Sequence, residues 1–225
     1  MNKHLACSSL QRFFYVSFIF FVLAFAKADA QQSSSVKNET QFLQSSFNVV
    51  DIDLNQYLEL EIKTTDNNNV KITTDQSGEY KNAVILSSSI RNDSLLITDP
   101  ISPSFSFPED KLSAHKVIDG KATLFLPKNK SLIINTQSAD ISISGDFKKI
   151  YINQLSGSCK INKLKGDVTY VSAYADVFLE LTDYSTTVFS RSGKVSTFKK
   201  PNLIKYFALI ETVSGNISHL KKTKK

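Results

Sequence analysis

An all-β fold, a single-stranded β-helix or β-solenoid with about 18 residues per coil, follows from three features of the stretch between Leu132 and Ile217. Four segments recur at a spacing of 18 residues: SADISIS from Ser138, SGSCKIN from Ser156, YADVFLE from Tyr174 and SGKVSTF from Ser192; a fifth, SGNISHL from Ser214, follows after 22. Two positions stay largely apolar through all five units: Ile141, Cys159, Val177, Val195 and Ile217, and, seven residues earlier, Ile134, Ile152, Tyr170, Val188 and Ile210. The second residue of each segment is always tiny: Ala139, Gly157, Ala175, Gly193 and Gly215. A fixed period with strand-like alternation inside each unit is the mark of stacked coils, none of which can bury its apolar face alone.

Each unit is expected to run strand, tight corner, strand, looser third side. Ile141-Ser142-Ile143-Ser144 alternates apolar and polar with period two, and Leu132 with Ile134, Ile150 with Ile152 and Val168 with Tyr170 repeat that alternation on the preceding strand. The tiny residue between them marks a corner where the chain bends with little side-chain clash. Units stacked about 4.8 Å apart turn each apolar position into a column of one continuous core, in the chain order 141, 159, 177, 195, 217. The competing architecture is an antiparallel sandwich with similar turn spacing.

Residues 1–30 are expected to be a signal peptide. Lys3 and Arg12 supply positive charge, Phe13 to Ala26 is an almost wholly apolar run of 14 residues, and Ala28-Asp29-Ala30 offers a small-x-small cleavage pattern, placing the cut after Ala30. The run is too short to span a bilayer comfortably, so no integral span is expected after cleavage; the competing reading is an uncleaved anchor. Removing this segment takes away Lys3, Arg12, Lys27 and Asp29 and leaves 24 basic and 20 acidic side chains, a net +4. That mild excess gives no reason to expect nucleic-acid binding, and Lys221, Lys222, Lys224 and Lys225 form a basic tail over 221–225. One cysteine remains, Cys159, so no internal disulfide forms, and its ladder position makes it a buried small hydrophobe.

Residues 31–45, rich in Gln and Ser, read as a flexible leader. The domain then spans 46–220, with irregular N-terminal strands over 46–130 and regular coils over 131–220. Leu58, Leu60 and Ile62 are expected to pair with Val70 and Ile72 as a hairpin across Asp66-Asn67-Asn68-Asn69. Val84 to Leu86 and Leu95 to Ile97 suggest a second hairpin. Pro100 to Ser113, with Pro103, Pro108, Phe105 and Phe107, reads as a loop, and Ala122 to Leu126 as a strand ended by Pro127.

Catalytic chemistry is not expected. His115 and His219 lie far apart without a ligand neighbour at metal-site spacing, and there is no phosphate loop, nucleophile elbow or cysteine pair, so neither metal nor cofactor is expected. Asp140 and Asp176 share a corner position two units apart, roughly 9.6 Å, near the upper edge of the separation that inverting glycosidases use. Ser158, Lys194 and Asn216 fill the equivalent corners, the pattern of ordinary polar solvation. Tyr151, Leu155, Val171, Tyr174, Phe178 and Phe189 fall out of phase with the inward positions. Among them Tyr151, Val171, Tyr174, Phe178 and Phe189 form the candidate partner surface, unless the third side or the N-terminal strands cover it.

From Phe47 to Leu220 the layout resembles the putative-adhesin domains of bacterial envelope proteins, the group that includes the GIN-like head, a domain of unknown function. The shared features are the strand TLFLP (Thr123 to Pro127), then LIINTQSADISIS, then successive SG-x-apolar units at Ser156-Gly157, Ser192-Gly193 and Ser214-Gly215. The chain departs from that layout at Tyr174-Ala175 and shows no membrane-translocating barrel. The resemblance implies an exported β-solenoid of the envelope, in the periplasm, at the cell surface or released, with no catalytic residues to carry over. The function expected is a non-enzymatic binding module whose partner is an envelope protein or a glycan. A self-assembling, bactofilin-like β-helix and a polysaccharide-active β-helix enzyme are the alternatives.

Overall fold

The computed structural model describes residues 35–42, 47–78, 82–106 and 119–220. The targeting segment 1–30, part of the leader, Phe107, His115 and the basic tail 221–225 lie outside them. Among the described residues every regular element is a β-strand, and no helix is long and apolar enough to cross a membrane.

The strands are β1 (Val36–Phe42), β2 (Val49–Asp53), β3 (Glu59–Thr65), β4 (Val70–Ser77), β5 (Ser87–Arg91), β6 (Ser94–Thr98), β7 (Asp119–Pro127), β8 (Ser131–Ser172), β9 (Asp176–Glu180), β10 (Tyr184–Ser190), β11 (Tyr206–Thr212) and β12 (Ile217–His219). They form one 12-stranded sheet. A straight strand as long as β8 would reach about 140 Å; instead β8 turns corners, at Gly145 and Gly157 for example, whose φ angles of +120° and +99° suit glycine. Its Ser131–Asn135 stretch pairs with β2 and its Asp140–Ser144 stretch with β3, so the sheet curls around two legs.

The legs carry the expected inward columns. Cys159 pairs with Val177, and Ser158, 18 residues after Asp140, reaches its side chain. Ile134, Ile141, Ile152, Cys159, Val177 and Ile210 are at most 1% exposed. Each such residue contributes roughly 1.5–3 kcal/mol before entropy is subtracted. The pattern is therefore parallel pairing of successive units, which excludes the antiparallel sandwich.

The order of the units differs from the order of the chain at both ends. On the second leg Val177 pairs with Ile217, and Ile217 in turn bridges to Val195, so the column runs 159, 177, 217, 195. On the first leg β11 lies between β8 and β10, giving Tyr170, Ile210, Val188. The stack expected from the sequence thus has its last two rungs exchanged, and its spacing is not uniform there. Val195 becomes the end of its column, 42% exposed, and Val188 is only half-buried. The mirror arrangement holds at the other end. β2 and β3 come before β6 and β7 in the chain, yet pair between them and β8. At the C-terminal end β11 thereby gains neighbours on both sides, β8 and β10.

Two further expectations are corrected. Val36–Phe42, placed in a flexible leader, pairs antiparallel with β4 from Val36↔Gln76 to Phe42↔Val70. Its polar composition hid the pairing, because the open backbone edge of β4 supplies the partners and asks for little apolar area. The hairpin of Leu58–Ile62 with Val70 and Ile72 does not form: β7 slots between β3 and β4, parallel to the first and antiparallel to the second. The bend at Asp66–Asn69 therefore crosses two strand spacings, about 9.6 Å, not one. The second hairpin is present as β5 and β6, turned at Asn92 and Asp93, both with positive φ. Its first strand starts later than expected, at Ser87, while Val84 bridges separately to Ile101.

Asp99, directly after β6, fixes the corner between β2 and β3. Its carboxylate accepts the backbone N–H groups of Asn55 (2.9 Å), Gln56 (2.6 Å) and Tyr57 (3.3 Å) while the residue is only 5% exposed. Burial raises its pKa above the usual aspartate value, outweighing the three hydrogen bonds that pull it down. Asp99→Ala leaves one buried and two part-buried donors without their acceptor and is expected to cost about 2–3 kcal/mol, read as a lower denaturation midpoint. Because the folded pKa lies above the unfolded one, the carboxyl's contribution is greatest at low pH and is lost as pH rises through the folded pKa. The stability difference between parent and variant is expected to widen on acidification towards the unfolded value of 3.8.

Candidate functional site

The outward side of the first leg is built by alternation. Ala208, Ile210 and Thr212 of β11 point into the core, so Phe207, Leu209 and Glu211 point out. Register then sets their neighbours. Leu209 sits between Thr169 of β8 and Thr187 of β10, and Glu211 between Val171 and Phe189. Tyr151 holds the equivalent outward position one repeat before Thr169. Phe207 is 64% and Phe189 58% exposed, and Tyr151 and Leu209 are exposed beside the half-buried Val171. This is a face of aromatic and aliphatic side chains interspersed with Thr169, Thr187 and two carboxylates, Asp167 and Glu211.

The candidate surface read from the sequence divides into three places. Tyr151, Val171 and Phe189 belong to this face. Tyr174 stands at the corner, 64% exposed, its N–H donating to the Leu155 carbonyl at 2.8 Å. Phe178 lies on the other leg, half-buried between Lys160 and Ser218 in a polar row. Phe178 therefore does not share a surface with Phe189. The N-terminal strands leave both Tyr174 and Phe189 open. Leu155 and Val213, exposed near Tyr174, edge a shallow groove of about 580 Å³ that also takes in Asn55, Asn135, Gln137 and Asn153.

Sequence reasoning missed Phe207 and Leu209. The available signal was the phase of YFALIET, in which both residues alternate against Ala208 and Ile210. It also missed a polar column on the inner side of the corner: Thr136, Gln154, Ser172 and Ser190, spaced at 18, then Thr212 after 22. Three of them, Gln154, Ser190 and Thr212, serve the corner backbone. Gln154 Nε2 donates to the Ala139 and Ser156 carbonyls at 2.6 and 2.8 Å. Ser190 Oγ accepts from the Gly193 N–H at 2.9 Å, and Thr212 Oγ1 from the Gly215 N–H at 3.1 Å. Tyr170 completes the set by donating its hydroxyl to Gln154 Oε1 at 3.0 Å. The corners are held from within, which keeps the outer face rigid.

Asp140 and Asp176 are engaged as corner acceptors. Ser158 Oγ donates to Asp140 Oδ1 at 2.7 Å. Asp176 Oδ1 accepts the Asn216 N–H at 2.7 Å and its Nδ2 at 3.0 Å, and Asn216 Oδ1 accepts the Lys194 N–H at 2.9 Å. Cys159 is fully buried, and burial pushes its thiol far above the ordinary cysteine pKa, so it stays protonated and unreactive at neutral pH. His219 stacks on Phe198 with ring centroids 4.4 Å apart.

The profile of the family described as Toastrack DUF4097 matches residues 47–218, the whole of the curled sheet apart from β1 and the final residues. The chain belongs to the Toastrack family. That assignment agrees with the resemblance to putative-adhesin domains carried by the SG-x-apolar units. Among solved structures, this Toastrack chain is similar to one described as a "putative cell adhesion protein" from Clostridium sporogenes, at 12% identity and a TM-score of 0.58 over 82% of this chain and 98% of that one. A "putative adhesin" from Bacteroides fragilis also matches, at 12% identity and a TM-score of 0.37 over 84% of this chain and 99% of that one. At these identities the first likeness bears on fold alone. No curated protein matches the Toastrack chain.

Proposed function

We propose that this Toastrack chain is an exported, non-enzymatic binding module of the bacterial cell envelope, which takes an envelope protein or a glycan on the outward face of its first leg. The observation that carries the reading is the exposure of Tyr151, Leu209, Phe207 and Phe189, set among Thr169, Thr187 and Glu211 on strands whose other side is core. Large aromatic side chains held rigid and partly dry are what binding hot spots use. The adhesion role named for the Clostridium sporogenes structure supports the same reading. The pairing of Cys159 with Val177 and of Ser158 with Asp176 supports a β-solenoid whose middle coils take about 18 residues. Export rests on the apolar run before Ala30, and N-terminal sequencing of the protein from its host is expected to begin at Gln31; a start at Met1 removes it.

Capture from the host envelope by the chain starting at Gln31 tests the binding role. Tyr151→Ser with Phe189→Ser is expected to reduce the captured partner at least about tenfold and to shift Tm by no more than about 2 °C, since both residues are exposed. Undiminished capture removes the face from the site. End-to-end self-assembly is the second reading, favoured by β10, which among the described residues pairs with β11 alone and leaves its other edge unpaired. Filaments in light scattering would put it first. Release of reducing or unsaturated ends from a glycan panel would replace both with an enzyme.

A further inference from the structure

Between Phe198 and Ala208 the chain reads KKPNLIKYF, with three lysines and no acid. The loop is pinned at both ends. Phe198 stacks on His219, and the backbone N–H groups of Lys205 and Tyr206 both donate to the Asp183 carbonyl, at 2.8 and 3.2 Å. Lys205 Nζ meets the Asp183 carboxylate at 2.9 Å, and the Tyr206 ring lies 5.2 Å from that of Tyr184. Held in this way, the segment exposes Leu203 (55%) and Ile204 (48%), near in sequence to the exposed Lys199 and Lys200, which form no ion pair among the described residues. The acids close by are already engaged: Asp183 with Lys205, and Asp167 with the Phe207 N–H at 2.9 Å.

Water is a poor solvent for two adjacent large aliphatic side chains, and Leu203 and Ile204 both keep about half their surface open. A protein partner would have to match the lysines as well as the apolar tips. An anionic bilayer matches both at once, because apolar side chains enter the boundary of the acyl region while lysines snorkel to the headgroup phosphates. We propose that the Lys199–Lys205 loop is a peripheral docking element for an anionic lipid surface. It goes beyond the binding role assigned to the sheet face, and the two are separable by mutation. The loop does not span the membrane. It lays a short apolar tip in the interface and adds electrostatic attraction, a combination that gives reversible attachment weakened by salt.

The test is co-sedimentation of the chain starting at Gln31, which retains the compact unit of residues 35–225, with two sets of vesicles. One is phosphatidylcholine alone, the other phosphatidylcholine with roughly one part in three phosphatidylglycerol. The parent is expected to partition to the anionic vesicles and to be released by salt. Leu203→Ser with Ile204→Ser is expected to lower the partition coefficient on the order of tenfold, and Lys199→Gln with Lys200→Gln by roughly tenfold with a flatter salt dependence. All four positions are exposed, so parent-like melting shows that the fold is intact. Tyr151→Ser with Phe189→Ser is expected to leave vesicle binding unchanged, and the loop variants to leave envelope-partner capture unchanged. Equal partitioning to neutral and anionic vesicles overturns the proposal. So does parent-like binding by either loop pair, or a self-association that the loop substitutions abolish, which would make a second copy the occupant.

Discussion

Val177→Asp is expected to lower stability by at least about 4 kcal/mol, a fall in Tm of roughly 10–15 °C for a domain of this size. Val177 has no exposed surface and lies between Cys159 on one side and Ile217 on the other, in the middle of an inward column. A carboxylate there has no cation within the column; it must stay ionised in an apolar core or take up a proton at a cost, and the methyl groups it replaces leave their packing unmatched. Val177→Ala, which removes packing without adding charge, is expected to cost only roughly 2 kcal/mol. The comparison with Val195→Asp is the sharper one. Both residues occupy the same place in the repeated segment, yet Val195 ends its column and is 42% exposed. Its aspartate can reach water, and a cost below about 1 kcal/mol is expected. Thermal melts of the three variants check this. A Val177→Asp variant that melts within about 2 °C of the parent means the column is wrongly phased, and equal costs at 177 and 195 mean the stack follows chain order.

The inward columns were legible because burial and spacing coincide in them. Ile141, Cys159 and Val177 are alike in polarity and sit 18 apart, and no other arrangement of one chain buries all three so economically. The exchange at the end was not legible, because Val195 and Ile217 are chemically interchangeable as rungs and either order satisfies the hydrophobic pattern. The one trace it left is the spacing of 22 before Ser214 in place of 18, the extra length that carries the chain outward and back. β1 was missed for the opposite reason. Its pairing lives in the backbone, and Asn38 and Thr40 remain exposed, so composition reported a leader. The candidate face was half legible. Phase alone turned Tyr151, Val171 and Phe189 outward, but which outward residues share a face depends on register. That is why Phe178, opposite in leg, was grouped with them and Phe207, one strand away from Ser185, was not.

Gly215→Val supplies the second large effect and tests the same exchange from the corners. The tiny residues of the repeats stack there in contact. A Cβ built on Gly215 would overlap the carbonyl of Ala175, and one built on Gly193 would overlap the carbonyl of Gly215, so the column runs Ala175, Gly215, Gly193. The obstructing atoms are backbone, which cannot rotate aside as a side chain does. At Gly215 the unit is held from both directions. Ser214 N–H donates to the Ala173 carbonyl at 2.9 Å, Asn216 N–H to Asp176 at 2.7 Å, and the Gly215 carbonyl accepts from Ser190 Oγ at 2.8 Å. A branched side chain must push the unit off Ala175 and break those bonds, and about 3–5 kcal/mol is expected. At Gly193 the unit is the last of the stack and has a neighbour on one side alone, so lifting away from Gly215 loses that side's bonds, such as Ser192 N–H to the Val213 carbonyl at 2.9 Å, and about 1–2 kcal/mol is expected. Denaturant midpoints for the two variants decide the matter. Were the units stacked in chain order, Gly193 would be the enclosed corner and Gly215 the terminal one, and Gly193→Val would be the more damaging substitution.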